Sequence, residues 1–175
     1  MKLSDYLWDF IADQGVKHVF MLAGGGSMHL VDSLGQNKRL TYVPCLHEQA
    51  AGLAAEAYAQ FNGLGVCLVT SGPGGTNAIT ACASAWCNSM PVLFISGQVN
   101  TYQLKTPEQR FNGVQELDIC SMVNNICKRV VRPDLSMTTK KAIEFILGEM
   151  IYQAKTPRQG PVWIDLPLNI QSAEL

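Results

Sequence analysis

Short apolar runs alternate with amphipathic stretches along most of this chain. Several of the runs are apolar without interruption, as expected for parallel strands that are covered on both faces. Six strands are predicted on this basis, at residues 18–22, 41–46, 65–70, 91–96, 127–131 and 161–165. Between them, apolar residues recur at helical spacing, for example over residues 50–61. The alternation predicts an α/β fold, a three-layer α/β/α domain with a six-stranded, mostly parallel sheet and right-handed crossovers.

The two ends and one central segment depart from this alternation of strands and helices. The opening helix is predicted over residues 4–14, with Ser4 as its N-terminal cap and Gly15 as its stop. Residues 97–112 are polar and contain Pro107, which is typical of a long loop with a functional role. After the sixth strand, no terminal helix is expected.

Composition and charge narrow the classes of partner. A chain of 175 residues is long enough for one domain with its own core. The net charge is −1, which speaks against a nucleic-acid partner. Charged residues make up 15% of the chain, below the typical ~25%. Further domains or subunits are therefore expected to cover part of the surface, and a homodimer or higher homo-oligomer is predicted.

Two groups of residues are expected to be structural only. The tightest basic group, Lys128, Arg129 and Arg132, is predicted to lie on a strand with a solvated edge. The six cysteines form no C-x-x-C pair and are expected to be reduced, buried thiols in a cytoplasmic protein, with no metal site. No apolar run reaches the ~18 residues of a membrane span, and no signal-peptide core is present, so no membrane partner is expected.

Two predicted strand-to-helix turns carry the candidate chemistry. Glu48 lies in a mostly apolar stretch, where a carboxylate is costly to bury unless a partner accepts its charge or its proton. The turn over residues 70–77 is rich in glycine and allows a flat ligand to lie against the backbone. Together they predict a pocket that holds one carboxylate against a heteroaromatic ring.

Other interpretations of the same residues remain open at this point. The turn Ala23-Gly24-Gly25-Gly26-Ser27 could bind a dinucleotide, with Glu48 as the ribose-binding acid, but His29 occupies the third glycine position of that motif. Glu48 could instead be a helix N-terminal acid favoured by the helix dipole. Asn77 could be a helix-start residue whose amide bonds to nearby backbone.

Taken in order along the chain, these segments resemble the N-terminal pyrimidine-binding (PYR) domain of thiamine diphosphate-dependent enzymes of the acetolactate synthase type. The matching segments are Gly24-Gly25, His47-Glu48-Gln49-Ala50-Ala51, residues 70–77, Gln115-Glu116 with Asp118, and residues 160–167. The resemblance implies that Glu48 is the catalytic residue and hydrogen-bonds N1′ of the aminopyrimidine. It also implies that further residues bind the cofactor or line the substrate side, namely Gly24, Gly25, Thr70, Pro73, Gly74, Asn77 and Gln115.

The resemblance further implies a function and a missing partner. Such an enzyme decarboxylates a 2-oxo acid such as pyruvate and passes the enamine to a proton or a carbonyl acceptor. Its Mg²⁺ and the cofactor diphosphate are held by a domain marked by Gly-Asp-Gly, and in this chain no glycine precedes an aspartate. Residues 1–175 are therefore expected to be a single PYR domain that needs a diphosphate-binding domain of the same or a second chain. Alone, the chain is expected to be inactive.

Two departures from the family pattern and two alternatives accompany this prediction. Ala23 stands where the family often has proline, and Val114 stands where many acetolactate synthases have phenylalanine, which implies more room in the acceptor pocket. The alternatives are a dinucleotide-binding Rossmann domain and a non-catalytic assembly or regulatory subunit that retains the PYR fold.

Overall fold

The computed structural model describes residues 1–175 and contains one sheet between two layers of helices. The strands are β1 His18–Met21, β2 Thr41–Pro44, β3 Gly65–Val69, β4 Val92–Gln98, β5 Arg129–Val131 and β6 Val162–Pro167. The α-helices are α1 Leu3–Asp13, α2 Met28–Gln36, α3 Glu48–Asn62, α4 Pro73–Cys87, α5 Ile119–Val123, α6 Lys140–Lys155 and α7 Leu168–Gln171. All strand pairings are parallel, in the order β2-β1-β3-β4-β6-β5. The predicted three-layer fold is confirmed.

The sheet separates two hydrophobic cores. On one face, α1, α2 and α6 pack against the central strands, with Trp8 and Leu7 among the fully buried side chains. On the other face, α3, α4 and α5 form a second core around the stacked rings of Phe94 and Trp163. Every residue of β3, β4 and β6 is buried, which explains why these strands are mostly apolar.

The first helix does not begin as the sequence predicts. It begins at Leu3, and its N-terminal cap is the residue before, Lys2, whose backbone N–H donates to Asp5 Oδ2 at 3.0 Å. Ser4 is buried and hydrogen-bonds the hydroxyl of Ser33 in α2, so the prediction that Ser4 caps the helix is wrong. Gly15 follows the helix with φ +84°, a conformation in which glycine carries no steric cost.

Two boundaries near the sixth strand also differ from prediction. Strand β4 continues through Gly97 and Gln98, which pair with Leu166 and Pro167 of β6, so the long loop begins later than residue 97. Helix α7 follows β6 directly, contrary to the expectation that no helix comes after it. Both differences arise from pairing and packing between segments that are far apart in sequence.

Two predicted surface properties are corrected as well. Arg132 does not lie on a solvated strand edge, because its guanidinium pairs with the fully buried Asp165. Among the cysteines, Cys67, Cys82 and Cys127 are buried as expected, whereas Cys87 is exposed. None of the helices combines the length and the apolar character needed to cross a membrane.

The strand order determines where a ligand is expected to bind. The chain runs outward from β1 to β2 and then crosses back to β3 on the other side of β1, so the order reverses between β1 and β3. Ligands of open α/β sheets bind beyond the carboxyl ends of the strands at such a reversal. The usual dinucleotide-binding order is 3-2-1-4-5-6, which this sheet does not have.

Candidate active site

The turns that follow β1 and β3 meet at the point where the strand order reverses. The backbone N–H of Gly26 donates to Thr70 Oγ1 at 3.0 Å. Gly24 lies so close to Thr70 that a Cβ atom on Gly24 would come within 2.5 Å of the threonine side chain. The glycine at position 24 is therefore required by the close approach of the two turns.

Glu48 stands beside these turns at the start of α3. It is the first residue of the helix, after the N-terminal cap His47, whose Nδ1 accepts from the backbone N–H of Gln49 at 3.1 Å. Its side chain is turned inward, leaving the residue only 8% exposed. The dipole of α3 favours a negative charge at this position. The role of Glu48 as a helix N-terminal acid is therefore compatible with its burial.

The carboxylate of Glu48 is held by a residue of the neighbouring helix. Asn77 in α4 donates from Nδ2 to Glu48 Oε2 at 3.0 Å. The alternative interpretation of Asn77, in which its amide bonds only to nearby backbone, is therefore not supported. Because Asn77 engages one oxygen only, the other oxygen of Glu48 is oriented and available to a ligand.

That second oxygen, Oε1, faces the glycine turn at the start of α4. A Cβ atom placed on Gly74 would lie 3.5 Å from Glu48 Oε1 and 2.7 Å from Thr70 Cγ2. A side chain at position 74 would therefore clash with Thr70. Glycine allows the backbone at the start of α4 to lie against both Thr70 and the carboxylate.

Gln115 approaches the same glycine turn from the long polar loop. A Cβ atom on Gly72, whose φ is +53°, would come within 2.0 Å of the Gln115 carbonyl oxygen. Gln115 itself has φ +56°, which is uncommon for a residue with a side chain. Pro73 and Gln115 both line a cavity of about 280 Å³ together with Glu116, whose carboxylate accepts from the backbone N–H of Asn112. Glu116 is itself buried.

The predicted site residues fall into three groups in space. One contiguous cluster surrounds the β1/β3 junction and consists of Gly24, Glu48, Thr70, Gly74 and Asn77. Pro73 and Gln115 line the adjacent cavity. Gly25 is exposed and approaches no other part of the chain closely, since a Cβ there would find nothing within 4 Å.

Contacts between the site and the C-terminal helix were not predicted from the sequence. Gln171 in α7 donates from Nε2 to the carbonyl oxygen of Gly26 at 2.7 Å and also to Leu166 O. Gly97 in β4 lies against the same turn, where a Cβ would come within 2.1 Å of Gly26 O. No local pattern predicts these contacts, because they join residues that are up to 145 positions apart.

A buried polar network next to the site was also missed. Asp165 accepts from Ser96 Oγ at 2.7 Å, from Gln98 Nε2 at 3.1 Å and from Arg132 Nε at 2.7 Å. Trp163 Nε1 in turn donates to Ser96 Oγ at 2.8 Å. An isolated aspartate in a buried apolar strand was the available signal, and the reasoning applied to Glu48 would have found it.

Hydrogen-bond geometry favours an ionised pair at the centre of this network. Burial lowers the pKa of Arg132, but Asp165, Cys120 and Asp118 together outweigh it and hold the pKa of the guanidinium above its ordinary value. Burial raises the pKa of the Asp165 carboxyl, while Arg132, Ser96 and Gln98 act in the opposite direction. Because three donors converge on two carboxylate oxygens, we assign Asp165 as ionised and Arg132 as its counter-ion.

Comparison with known proteins identifies the family of this chain. The family model described as thiamine pyrophosphate enzyme, N-terminal TPP binding domain, matches residues 1–122. The chain is 39% identical over 158 residues to the acetolactate synthase large subunit of Corynebacterium glutamicum, covering 90% of this chain and 24% of that protein. It is 38% identical over 161 residues to the acetolactate synthase isozyme 3 large subunit of Escherichia coli, covering 91% of this chain and 26% of that protein. Over 171 residues it is 34% identical to acetolactate synthase 2, chloroplastic, of Nicotiana tabacum, covering 97% of this chain and 24% of that protein.

The matches cover nearly all of this chain but only a small part of each relative. The chain spans about a quarter of the length of these curated relatives. They give no support to a dinucleotide-binding domain or to an assembly subunit.

Proposed function

This chain belongs to the thiamine pyrophosphate enzymes, whose N-terminal cofactor-binding domain it matches, and we propose that it forms the pyrimidine-binding half of a 2-oxo acid decarboxylating enzyme. The substrate we propose is pyruvate or a similar 2-oxo acid. The group that remains after loss of carbon dioxide is passed to a proton or a carbonyl acceptor. Thiamine diphosphate, when bound, supplies the electron sink that allows a 2-oxo acid to lose carbon dioxide.

The observation that carries this proposal is the inward-facing carboxylate of Glu48 at the β1/β3 junction. It is buried, it is fixed through Oε2 by Asn77, and its Oε1 lies beside Gly74, which packs against Thr70. A planar aminopyrimidine has a ring nitrogen that suits such a carboxylate and a face that suits glycine backbone. The residues present therefore fit the pyrimidine end of the cofactor.

Each residue has a definite role in the proposed reaction. Glu48 Oε1 would share a proton with N1′ of the aminopyrimidine, so that the amino group at the other side of the ring can act as a base. Asn77 keeps the carboxylate in the orientation that this proton transfer needs. Thr70 and Gly74 would border the ring, while Pro73 and Gln115 line the cavity that we propose for the substrate side.

Other parts of the holoenzyme would complete the site. We propose that residues 1–175 act as one PYR domain and that a diphosphate-binding domain, on the same or a second chain, holds Mg²⁺ and the diphosphate. Exposed apolar side chains on α3 and α4, such as Leu53, Phe61 and Trp86, are available for contacts with such a domain or with a second copy of the chain.

The proposal is tested on the holoenzyme, the assembled protein that contains this domain. Isothermal titration with thiamine diphosphate and Mg²⁺ is expected to show saturable binding, and carbon dioxide release from pyruvate is expected to require both. A parallel titration with NAD⁺ tests the dinucleotide alternative. Binding of NAD⁺ without binding of thiamine diphosphate would overturn the proposal. Full activity after Glu48→Gln would instead favour the assembly-subunit alternative.

A further inference from the structure

The segment that carries Gln115 reaches its place through contacts that lie outside the cofactor cluster. Residues 112–118 form no strand or α-helix of their own. The carbonyl oxygen of Leu117 accepts from Gln98 Nε2 at 2.9 Å. Asp118 accepts from an amino group of Arg132 at 2.9 Å. The segment is thus tied on its far side to strand β4 and to the residue that follows β5.

Both ties converge on one buried carboxylate. Asp165, fully buried in β6, accepts from Gln98 Nε2 and from Arg132 Nε. Arg132 therefore bridges two carboxylates with different nitrogens of one guanidinium, Nε for Asp165 and a terminal nitrogen for Asp118. The planar guanidinium fixes the angle between these two hydrogen bonds, which a lysine ammonium cannot do.

On its other side, the same segment contacts the glycine turn over residues 70–77. The Gln115 carbonyl oxygen lies where a Cβ on Gly72 would be, so a shift of the segment changes its contact with the turn that begins α4. Gln115 also holds a positive φ that a free loop would seldom keep. Contacts on both sides are therefore needed to fix Gln115.

We propose that Arg132 is a positioning residue, which sets the place of Gln115 in the substrate-side cavity by bridging the buried Asp165 to Asp118. The proposal rests on the proposed function, because it assigns the bridge a role in turnover of the 2-oxo acid. No hydrogen bond or salt bridge joins Glu48 or Asn77 to the bridge, so activation of the cofactor is expected to be independent of it.

The test uses the holoenzyme and three variants. Asp118→Asn weakens the link between Arg132 and the segment, together with the local bond from the Ser121 hydroxyl to Asp118. Asp118 is partly exposed, so folding is expected to survive. Arg132→Lys keeps a positive charge beside Asp165 but cannot hold both carboxylates in the same geometry. Arg129→Met is the matched control, since Arg129 begins strand β5, which Arg132 follows, and pairs with Glu149 at the surface, away from the segment.

Two measurements separate positioning from general stability. Hydrogen–deuterium exchange by mass spectrometry is expected to rise in a peptide covering residues 112–118 in both bridge variants and to stay unchanged in Arg129→Met. The kcat/KM for pyruvate is expected to fall about 10–100-fold in the bridge variants, the scale of an ångström-level misplacement. Exchange of the C2 proton of bound thiamine diphosphate is expected to match the wild type.

The outcomes are distinguishable. Unchanged hydrogen exchange over residues 112–118, or a kcat/KM equal to that of Arg129→Met, would overturn the positioning role. A parallel loss of C2 exchange and turnover would also overturn it, because the bridge would then act on the whole site. A wild-type holoenzyme that binds no thiamine diphosphate would overturn the proposed function itself, and with it the catalytic meaning of the bridge.

Discussion

Replacing Glu48 by glutamine tests the proposed proton-sharing role with little change of shape. Helix α3 offers a matched control in Glu56, which is 5% exposed and accepts from Asn88 Nδ2 at 2.8 Å. Glu48 is 8% exposed and accepts from Asn77 Nδ2 at 3.0 Å. Both are therefore buried carboxylates on the same helix, each held by one asparagine amide. At 1.5 Å of rise per residue, the eight positions between them place Glu56 about 12 Å from the site.

The expected effects on stability are similar for the two substitutions. In each case the new amide oxygen can still accept from the asparagine, so a charge-assisted hydrogen bond becomes a neutral one, at a cost of about 1 kcal/mol. Relief from burying a carboxylate offsets part of this loss. At position 48 the helix dipole adds about 0.3–1 kcal/mol to the cost. Both variants are thus expected to remain folded, with free energies of unfolding within about 2 kcal/mol of the wild type.

The expected effects on catalysis are very different. Glutamine can hydrogen-bond the pyrimidine nitrogen but cannot share an acidic proton with it. Loss of one proton-transfer role costs about 10²–10⁴ in rate, or about 2.7–5.4 kcal/mol at 1.36 kcal/mol per decade. Glu48→Gln is therefore expected to lose nearly all turnover, while Glu56→Gln keeps the wild-type rate.

The assay is exchange of the C2 proton of bound thiamine diphosphate in deuterated water, followed by acid quench and proton NMR. Cofactor affinity is measured alongside by titration and is expected to stay close to wild type, because the diphosphate is held by another domain in the proposed enzyme. If Glu48→Gln exchanges as fast as Glu56→Gln, then Glu48 is a helix-start acid and the central functional hypothesis is wrong.

Three further outcomes are expected. Gly24→Ala should lower the free energy of urea unfolding by about 1–3 kcal/mol and weaken thiamine diphosphate binding, because its Cβ would come within 2.5 Å of Thr70. Gly25→Ala, whose Cβ would meet nothing within 4 Å, should stay within about 0.5 kcal/mol of wild type, and equal losses would contradict the packing role of Gly24. Iodoacetamide should label the exposed Cys87 first under native conditions, because burial raises the pKa of the Cys120 thiol to about 12, and peptide mass spectrometry showing Cys120 labelled as early would contradict this. Sedimentation velocity should show self-association through the exposed apolar side chains of α3 and α4, and a strict monomer at high concentration would refute it.

Much of the fold follows from local pattern alone. Uniformly apolar strands such as β3 predict a sheet covered on both faces, and the regular alternation with helices predicts parallel pairing. The end of the opening helix was also predictable, since Gly15 adopts a conformation that few other residues accept. The start of that helix was not, because Ser4 satisfies its hydroxyl through Ser33 of another helix rather than through its own backbone.

The candidate site, like the fold, was only partly predictable from the sequence. An isolated Glu48 in an apolar stretch and a glycine-rich turn were visible in the sequence, because a buried charge and a side-chain-free turn both need a physical reason wherever they occur. The partner of the carboxylate was not visible. Asn77 lies 29 positions away, and only the crossing of the chain over β1 brings the starts of α3 and α4 together.

The sequence by itself therefore determined the layers, the direction of the strands and the residue types that demand partners, since these depend on periodicity and on the cost of burying charge. Only the tertiary structure decided which partners they have. Asp165 illustrates the difference, because one buried carboxylate collects donors from β4 and from beyond β5. Such pairs are set by strand order and register, which place the carboxyl ends of non-consecutive strands at a single edge of the sheet.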